Sequence, residues 1–486
     1  MKKYEHAFGK NDIRGIYGDD ITEELYYNVG RSFVKWLELK SSMSPENMWI
    51  TVTQDARLHS PALAKALESG LRSAGVHVID LGLAPTPIGY YSEVVGVSES
   101  VTNGNKVTAA LIITASHNPS EYNGLKMTYN HQTLNELQIK EVRDITFENW
   151  VEAPAEFSAD VIKYNIIPDY QADMLKRFAG IGKGVKVVVD SANATGGVVA
   201  PKLYKELGCE VIELFSEPDG HFPNHHPNPS DEKTLDAVKK AVVDNKADLG
   251  IAFDGDSDRI GVIDSAGNSL TGDKLLLIYA MDLIDSCKKS GEKLPTVVSE
   301  VKCSQVLYDT INSTGAQAVM CKTGHGYIKE KMKETGAILA GEMSGHTFFK
   351  DRYYGFDDAV YAGCRIIEII SKHRKNNPDF KIQDMLEPFD AVYSSQEVRF
   401  PCPNDKKKAT LEAFKSAVNN NKNLFGADIK DIVTIDGMRI IFDGGFALIR
   451  QSNTEPVFTL RFEAKNKAQC EQFENAMISQ LKKCML

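Results

Sequence analysis

The sequence predicts an α/β protein of three similar α/β/α domains with mixed or parallel sheets, then a small α+β C-terminal domain, all around a shared cleft. Three observations lead there. At 486 residues the chain is too long for one core. A strand–loop–helix–Gly–strand unit recurs three times. Each copy is followed by a short apolar strand that ends in a dense polar loop.

The first copy runs from strand 49–53 through Gln54-Asp55-Ala56-Arg57 and a helix to Gly75 and strand 76–81. The second runs from strand 185–189 through Asp190-Ser191-Ala192-Asn193 to Gly208 and strand 209–214. The third runs from strand 296–299 through Glu300-Val301-Lys302-Cys303 to Gly315 and strand 316–320. Each glycine stands where the end of a helix needs a residue tolerant of positive φ. Such units predict a mainly parallel sheet with crossover helices. The last hundred residues lack the repeat and hold short strands, Gly444-Gly445 and a closing helix near 467–483. Composition breaks at 150–156 and 372–388 suggest domains at 1–158, 159–266, 267–385 and 386–486.

The polar loops carry the chemistry, since open α/β sheets place their sites at strand ends. After strand 111–113 comes Thr114-Ala115-Ser116-His117-Asn118-Pro119, with Asn123-Gly124-Leu125-Lys126 beyond. Pro119 fixes the turn, and Gly124 lets backbone approach a ligand closely. Alone, this also reads as a capped turn; in either case Ser116 is expected to end the strand in a surface loop. After strand 249–253 comes Asp254-Gly255-Asp256-Ser257-Asp258-Arg259. Alternating carboxylates can point at one ion, and hard oxygen ligands of that density favour Mg²⁺ over zinc. An EF-hand fits poorly, because Arg259 and Ser265 stand where that loop needs Gly and Glu. A solvated acidic turn remains the alternative. His225-His226, flanked by Pro223, Pro227 and Pro229, reads as an ordinary loop and is assigned no metal.

Together the two loops resemble the phosphoserine and metal loops of the α-D-phosphohexomutases. Further motifs extend the resemblance over essentially the whole chain: Asp12-Ile13-Arg14-Gly15, Gly341-Glu342-Met343-Ser344-Gly345-His346, and Arg450-Gln451-Ser452-Asn453-Thr454-Glu455-Pro456 with Arg461. Lys302 and Lys322-Thr323-Gly324-His325-Gly326 match other substrate-binding positions of that family. Within it, the chain looks most like the bacterial phosphomannomutase/phosphoglucomutase branch.

The resemblance implies an enzyme that interconverts hexose 6-phosphate and hexose 1-phosphate. Ser116 is phosphorylated, and its phosphate completes a Mg²⁺ shell with Asp254, Asp256 and Asp258. His117, Arg14, Lys126 and Arg259 serve the transferring phosphoryl group. Glu342 and Ser344, with His346, hold sugar hydroxyls, while Arg450, Ser452, Asn453, Thr454 and Arg461 cradle the non-reacting phosphate. A hexose 1,6-bisphosphate is intermediate and activator. Two positions depart from the family pattern: Asn11 replaces a tyrosine, and Ser257 replaces glycine or alanine, tolerable with its side chain facing solvent. A phosphoglucosamine mutase and a Mg²⁺-dependent sugar phosphatase are the rivals.

The bulk numbers agree with small sugar phosphates as partners. A net charge of −10 offers no basic field for nucleic acid or an anionic membrane. Eight cysteines without a C-x-x-C pair read as reduced thiols, so a cytoplasmic protein is expected. No signal peptide or membrane span is visible. Monomer and homodimer both stay open.

Overall fold

The computed structural model describes residues 2–158, 160–452 and 455–485. Three of its sheets share one frame. In the first, Trp49–Gln54 lies between His77–Leu83 and Ala109–Ile113, parallel to both. In the second, Lys186–Asp190 lies between Glu210–Leu214 and Leu249–Phe253, again parallel to both. In the third, Thr296–Glu300 lies between Gln317–Cys321 and Leu339–Gly341 in the same way. The third strands of the first two sheets are apolar, as strands covered on both faces are; every residue of Ala109–Ile113 and Leu249–Phe253 is buried. Gly75, Gly208 and Gly315 have φ of +92°, +100° and +90°, as helix ends of this kind require.

The sheets are mixed rather than mainly parallel. After the third strand the chain reverses, and Tyr122–Tyr129 and Ile260–Asp264 return antiparallel to Ala109–Ile113 and Leu249–Phe253. Thr347–Phe349 takes the corresponding place in the third sheet. Each polar loop is therefore the link between a third and a fourth strand, tied into the sheet at both ends. The first sheet also gains Ile13–Ile16, paired with Tyr122–Tyr129, and Ile162–Lys163, paired with His77–Leu83. The latter strand lies beyond residue 158, so the first sheet draws on chain past the composition break.

The C-terminal sheet has six strands, with Val457–Ala464 between Gly445–Gln451 and Val398–Pro401. Phe414 from helix Asn404–Asn420 and Phe473 from helix Lys467–Cys484 join Phe442, Phe458 and Phe462 in its core. All eight cysteines are free thiols, seven of them buried. No helix among the described residues is long and apolar enough to cross a membrane.

The chain forms two compact units. The first runs to Leu270 and includes Ser344–Thr347 and Phe356–Lys381; the second comprises Thr271–Met343, Phe348–Gly355 and the chain from Ile382 onward. Helix Ala359–Arg374 thus belongs to the first unit and packs on the second sheet and its helices, although it falls inside the 267–385 segment. The cause is local. Asp358 caps the helix by accepting from Tyr361 N and also accepts from Tyr170 Oη, 2.9 Å in each case. Tyr204 Oη donates to Val360 O at 3.0 Å.

Gly363 makes that packing possible: a Cβ there would lie 1.9 Å from Tyr204 Oη and 3.3 Å from Ile251 Cδ1. Gly363→Ala is expected to destabilise the first unit by about 1–3 kcal/mol, as overpacking outweighs the better helix propensity of alanine. Urea unfolding of the two proteins side by side checks this; an unchanged or raised midpoint contradicts it.

Candidate active site

Ser116 and the three aspartates meet within the first unit. Ser116 Oγ donates to Asp254 Oδ2 at 2.7 Å, and His117 Nδ1 lies 3.2 Å from the same hydroxyl. Contrary to the surface-loop expectation, Ser116 is only 3% exposed. Its φ of +50° is a left-handed conformation that costs a residue with a Cβ, and Thr114 Oγ1 accepts from its N–H at 2.9 Å. Gly255 lets the two loops touch, since a Cβ there would sit 2.3 Å from Ser116 O. Gly124 has a different role from the one expected. The space for its Cβ is filled by Ile13 O at 2.4 Å and Thr114 O at 2.8 Å, so it serves the sheet rather than a ligand.

Asp254, Asp256 and Asp258 are buried, with one oxygen from each lying within 4.8 Å of the others. Lys126, on the returning strand, donates to Asp256 Oδ2 at 2.7 Å and Asp258 Oδ2 at 2.6 Å. Thr86 Oγ1 adds a second short bond to Asp256, at 2.6 Å, and the sequence offered no signal for it. Asp256 is thereby held below the usual carboxylate range, because Lys126 and Thr86 outweigh burial. Asp254 shifts the other way: burial, then the charges of Asp258 and Asp256, push its carboxyl well up. Asp256 Oδ1 and Asp258 Oδ1 are buried without a hydrogen-bond partner among the described residues. Three all-oxygen donors with two such atoms fit a hard divalent cation.

Cations surround the serine. Arg14 Nη1 donates to Asn118 Oδ1 at 2.8 Å, and its other end pairs with Asp12. Burial opposes its charge, but Asp12, Asp256 and Asp258 outweigh burial and keep it protonated. Arg259 Nε donates to His346 Nε2 at 3.0 Å and lies 3.8 Å from Asp254. Arg259 comes first, with burial and Arg14 after it, in holding the His117 imidazole well below the ordinary histidine range. His117 is therefore a neutral ring beside the serine hydroxyl.

His346 is placed behind Arg259, with Nδ1 3.1 Å from Asp357 Oδ2 and 3.2 Å from Asp258 O. Ser257 does not face solvent. It is fully buried at φ +58°, and its hydroxyl lies 3.1 Å from Thr195 Oγ1, a partner on another loop that supplies the missing polar contact. Ser344 is half-buried in this unit, its carbonyl accepting from Ser230 Oγ at 3.0 Å. His225 Nε2 faces both oxygens of Asp190 at 3.1 Å.

The second unit gathers the remaining positions. Gly324 N donates to Glu342 Oε1 at 2.7 Å, and His325 opens the helix that Gly324 caps. Lys302 lies 3.6 Å from both Glu300 and Glu397. Glu300 accepts from Met343 N at 2.8 Å and from Thr323 Oγ1. Asp436 Oδ2 accepts from Arg450 Nε at 3.1 Å and from Thr323 N at 3.2 Å. A cavity of about 270 Å³ beside this carboxylate is lined by Lys322, Thr323, Tyr327, Gly437 and Gln451. Ser452 Oγ accepts from Glu455 N at 3.1 Å, and buried Lys407 donates to Ser452 O at 3.0 Å. Arg461 is turned inward, 3.3 Å from Asp273 Oδ2 and bonded to Lys302 O, so it braces the Lys302 loop. Asn453 and Thr454 lie outside the described residues. Asp436 and Lys407 carried no motif in the sequence, and Glu300 stood out only as the start of the third repeat's strand-end loop.

The fold and these loops are those of enzymes that move phosphoryl groups on sugars, and the comparisons name the family. Four consecutive family models match: phosphoglucomutase/phosphomannomutase α/β/α domain I over residues 5–150, domain II over 169–267, domain III over 271–388, and the C-terminal domain over 397–480. A phosphomannomutase/phosphoglucomutase of Pseudomonas aeruginosa is 38% identical over 476 residues, covering 98% of this chain and 95% of the relative. A phosphoglucomutase of Neisseria gonorrhoeae is 37% identical, covering 96% and 95%. A crystal structure of a phosphoglucomutase/phosphomannomutase family protein from Burkholderia thailandensis superposes with a TM-score of 0.86 at 33% identity, covering 98% and 97%. The chain belongs to the phosphoglucomutase/phosphomannomutase family within the α-D-phosphohexomutase superfamily.

Proposed function

We propose that this chain is a phosphohexomutase that interconverts the 6- and 1-phosphates of glucose and mannose through phosphorylated Ser116. The observation that carries the reading is Ser116 Oγ at 2.7 Å from Asp254 inside a buried triad that Lys126 partly neutralises. The serine's phosphoryl group passes to the free hydroxyl at one end of the sugar, giving a hexose 1,6-bisphosphate and a serine hydroxyl. The bisphosphate reorients, and Ser116 Oγ attacks its other phosphoryl group; the P–O bond to the sugar breaks, and the serine's proton ends on the freed sugar oxygen. The Ser116 hydroxyl donates to Asp254 Oδ2 here, and the neutral His117 ring lies 3.2 Å from the same hydroxyl. Arg14, Arg259 and Lys126 supply positive charge where the transferring group spreads its own.

Asp254, Asp256 and Asp258, with the phosphorylated serine, would hold Mg²⁺. Bound there, the ion offsets phosphate charge and makes the serine oxygen a better leaving group. Glu342, Ser344 and His325 read the sugar, and Lys302 is a further substrate position of the family pattern. Arg450 and the 452–454 loop grip the phosphate that is not reacting. A sugar phosphatase would need no such second grip, and release of inorganic phosphate from glucose 1-phosphate without isomer formation would favour it.

Ser116→Ala is expected to remain folded, to lose mutase turnover and to lose the phosphate adduct seen in the intact mass after incubation with glucose 1,6-bisphosphate. Full turnover in that variant would overturn the mechanism. Asp256→Ala is expected to weaken Mg²⁺ binding and to slow transfer by about a hundredfold or more. Titration calorimetry with Mg²⁺ alone checks the first half, and turnover that survives thorough chelation contradicts the second. A clamp on the hydroxyls that glucose and mannose share cannot read C2, so kcat/KM for the two 1-phosphates should be comparable. A preference above about a hundredfold, roughly 2.7 kcal/mol, means that another residue reads C2.

A further inference from the structure

Arg57 stands at the end of strand Trp49–Gln54 and its following loop, 1% exposed. Its five N–H donors are all engaged by protein oxygens, and the guanidinium is closed off from solvent. Nε donates to Asp55 Oδ2 at 3.0 Å. Nη1 donates to Pro119 O at 2.5 Å and Tyr122 O at 3.0 Å. Nη2 donates to Asn118 O at 2.6 Å and Ser116 O at 3.0 Å. One guanidinium thus collects four carbonyls of a single loop. Asp55 completes the frame, accepting from Arg57 N at 3.1 Å and Ser60 Oγ at 2.7 Å, and from Ala115 N at 3.4 Å.

We infer that Arg57 is the positioning residue of the serine loop, holding Ser116 in its left-handed conformation so that Oγ faces Asp254. The argument is geometric. A serine at φ +50° relaxes by rotating its peptide, and that rotation swings its carbonyl. Arg57 Nη2 holds the Ser116 carbonyl, and the backbone at Gly255 packs closely on the same oxygen, where a Cβ would sit only 2.3 Å away. The planar fork is what the task needs. Lysine carries the same charge but three donors on one atom, and cannot span four carbonyls and a carboxylate.

The inference rests on Ser116 as the phosphoryl carrier, and the experiment keeps the two apart. Arg57→Lys is expected to leave KM for glucose 1-phosphate within about threefold and to lower kcat by about a hundredfold, the size of effect that a misplaced reacting atom produces. Phosphorylation of Ser116 by glucose 1,6-bisphosphate, followed by intact mass, should slow by the same factor. A kcat within about threefold of the parent overturns the role, as does a loss carried wholly by KM. So does a loss that vanishes once activity is expressed per folded molecule. If Arg57→Lys does not fold, the double variant Asp55→Asn/Arg57→Gln leaves no lone buried charge. The same fall in kcat is expected of it, and parental kcat there also overturns the role. A fully active, unmodified Ser116→Ala protein would sink the phosphoserine reading, whereas parental kcat in Arg57→Lys beside an inactive Ser116→Ala would sink the clamp alone.

Discussion

Three carboxylates from one short loop share a buried pocket, and the first unit is organised around making that tolerable. A lone buried carboxylate costs several kcal/mol, and three within 4.8 Å cost more. Lys126 answers two of them, Thr86 donates to one of these, and the Ser116 hydroxyl answers the third. Each donor comes from a different stretch of chain. The central sheet of the first repeat must therefore be in register before the second repeat's loop can be buried. Gly255 is the contact point of the two loops, where any side chain would push them apart.

Much of this was legible in the sequence, for identifiable reasons. The strand–loop–helix–Gly–strand units leave a strong local trace, since apolar runs, polar breaks and a glycine at positive φ are each set by neighbours along the chain. The aspartate loop is compact enough to be read whole. What escaped depends on distance. Thr86 meets Asp256 across 170 positions, and no spacing rule links them. Arg57 sits in a loop already recognised as the first repeat's strand end, but nothing local says that its fork closes on carbonyls of residues 116–122. Ser257 read as a solvent-facing residue because polar loops are usually wet; Thr195, from a turn sixty-odd residues earlier, buries it. Helix Ala359–Arg374 joins the first unit through Tyr204 and Tyr170, contacts that a linear division of the chain cannot foresee.

In the second unit, the positions that resemblance marks for ligands are tied into the fold by acidic side chains. Asp436 serves Arg450 and Thr323 with one oxygen. Glu300 serves Thr323 and Met343 with its two. Arg450, the 322–325 turn and the start of the 342–346 loop are thus linked through two carboxylates. Arg461 and Arg439 brace the intervening segment from the C-terminal sheet, with Arg439 Nη1 donating to Val301 O and, at 2.7 Å, to Cys303 O. Buried arginines here act on backbone oxygens, a use of the guanidinium that preserves every charge for the fold and leaves ligand contact to their neighbours.

The three polar loops occupy the same place in three sheets, each joining a third strand to a fourth. In the first two, the flanking residues are held in an antiparallel register, Ile113 opposite Leu125 and Phe253 opposite Ile260. A loop fastened at both ends has little freedom in length, because an added residue must bulge or shift a whole strand. Its side chains, by contrast, point away from the ladder and are free to differ. The serine loop, the aspartate loop and the Glu342–Ser344 loop are then three inscriptions on one bracket. An engineer who wished to change what this protein acts on would rewrite letters within the bracket, not lengthen it.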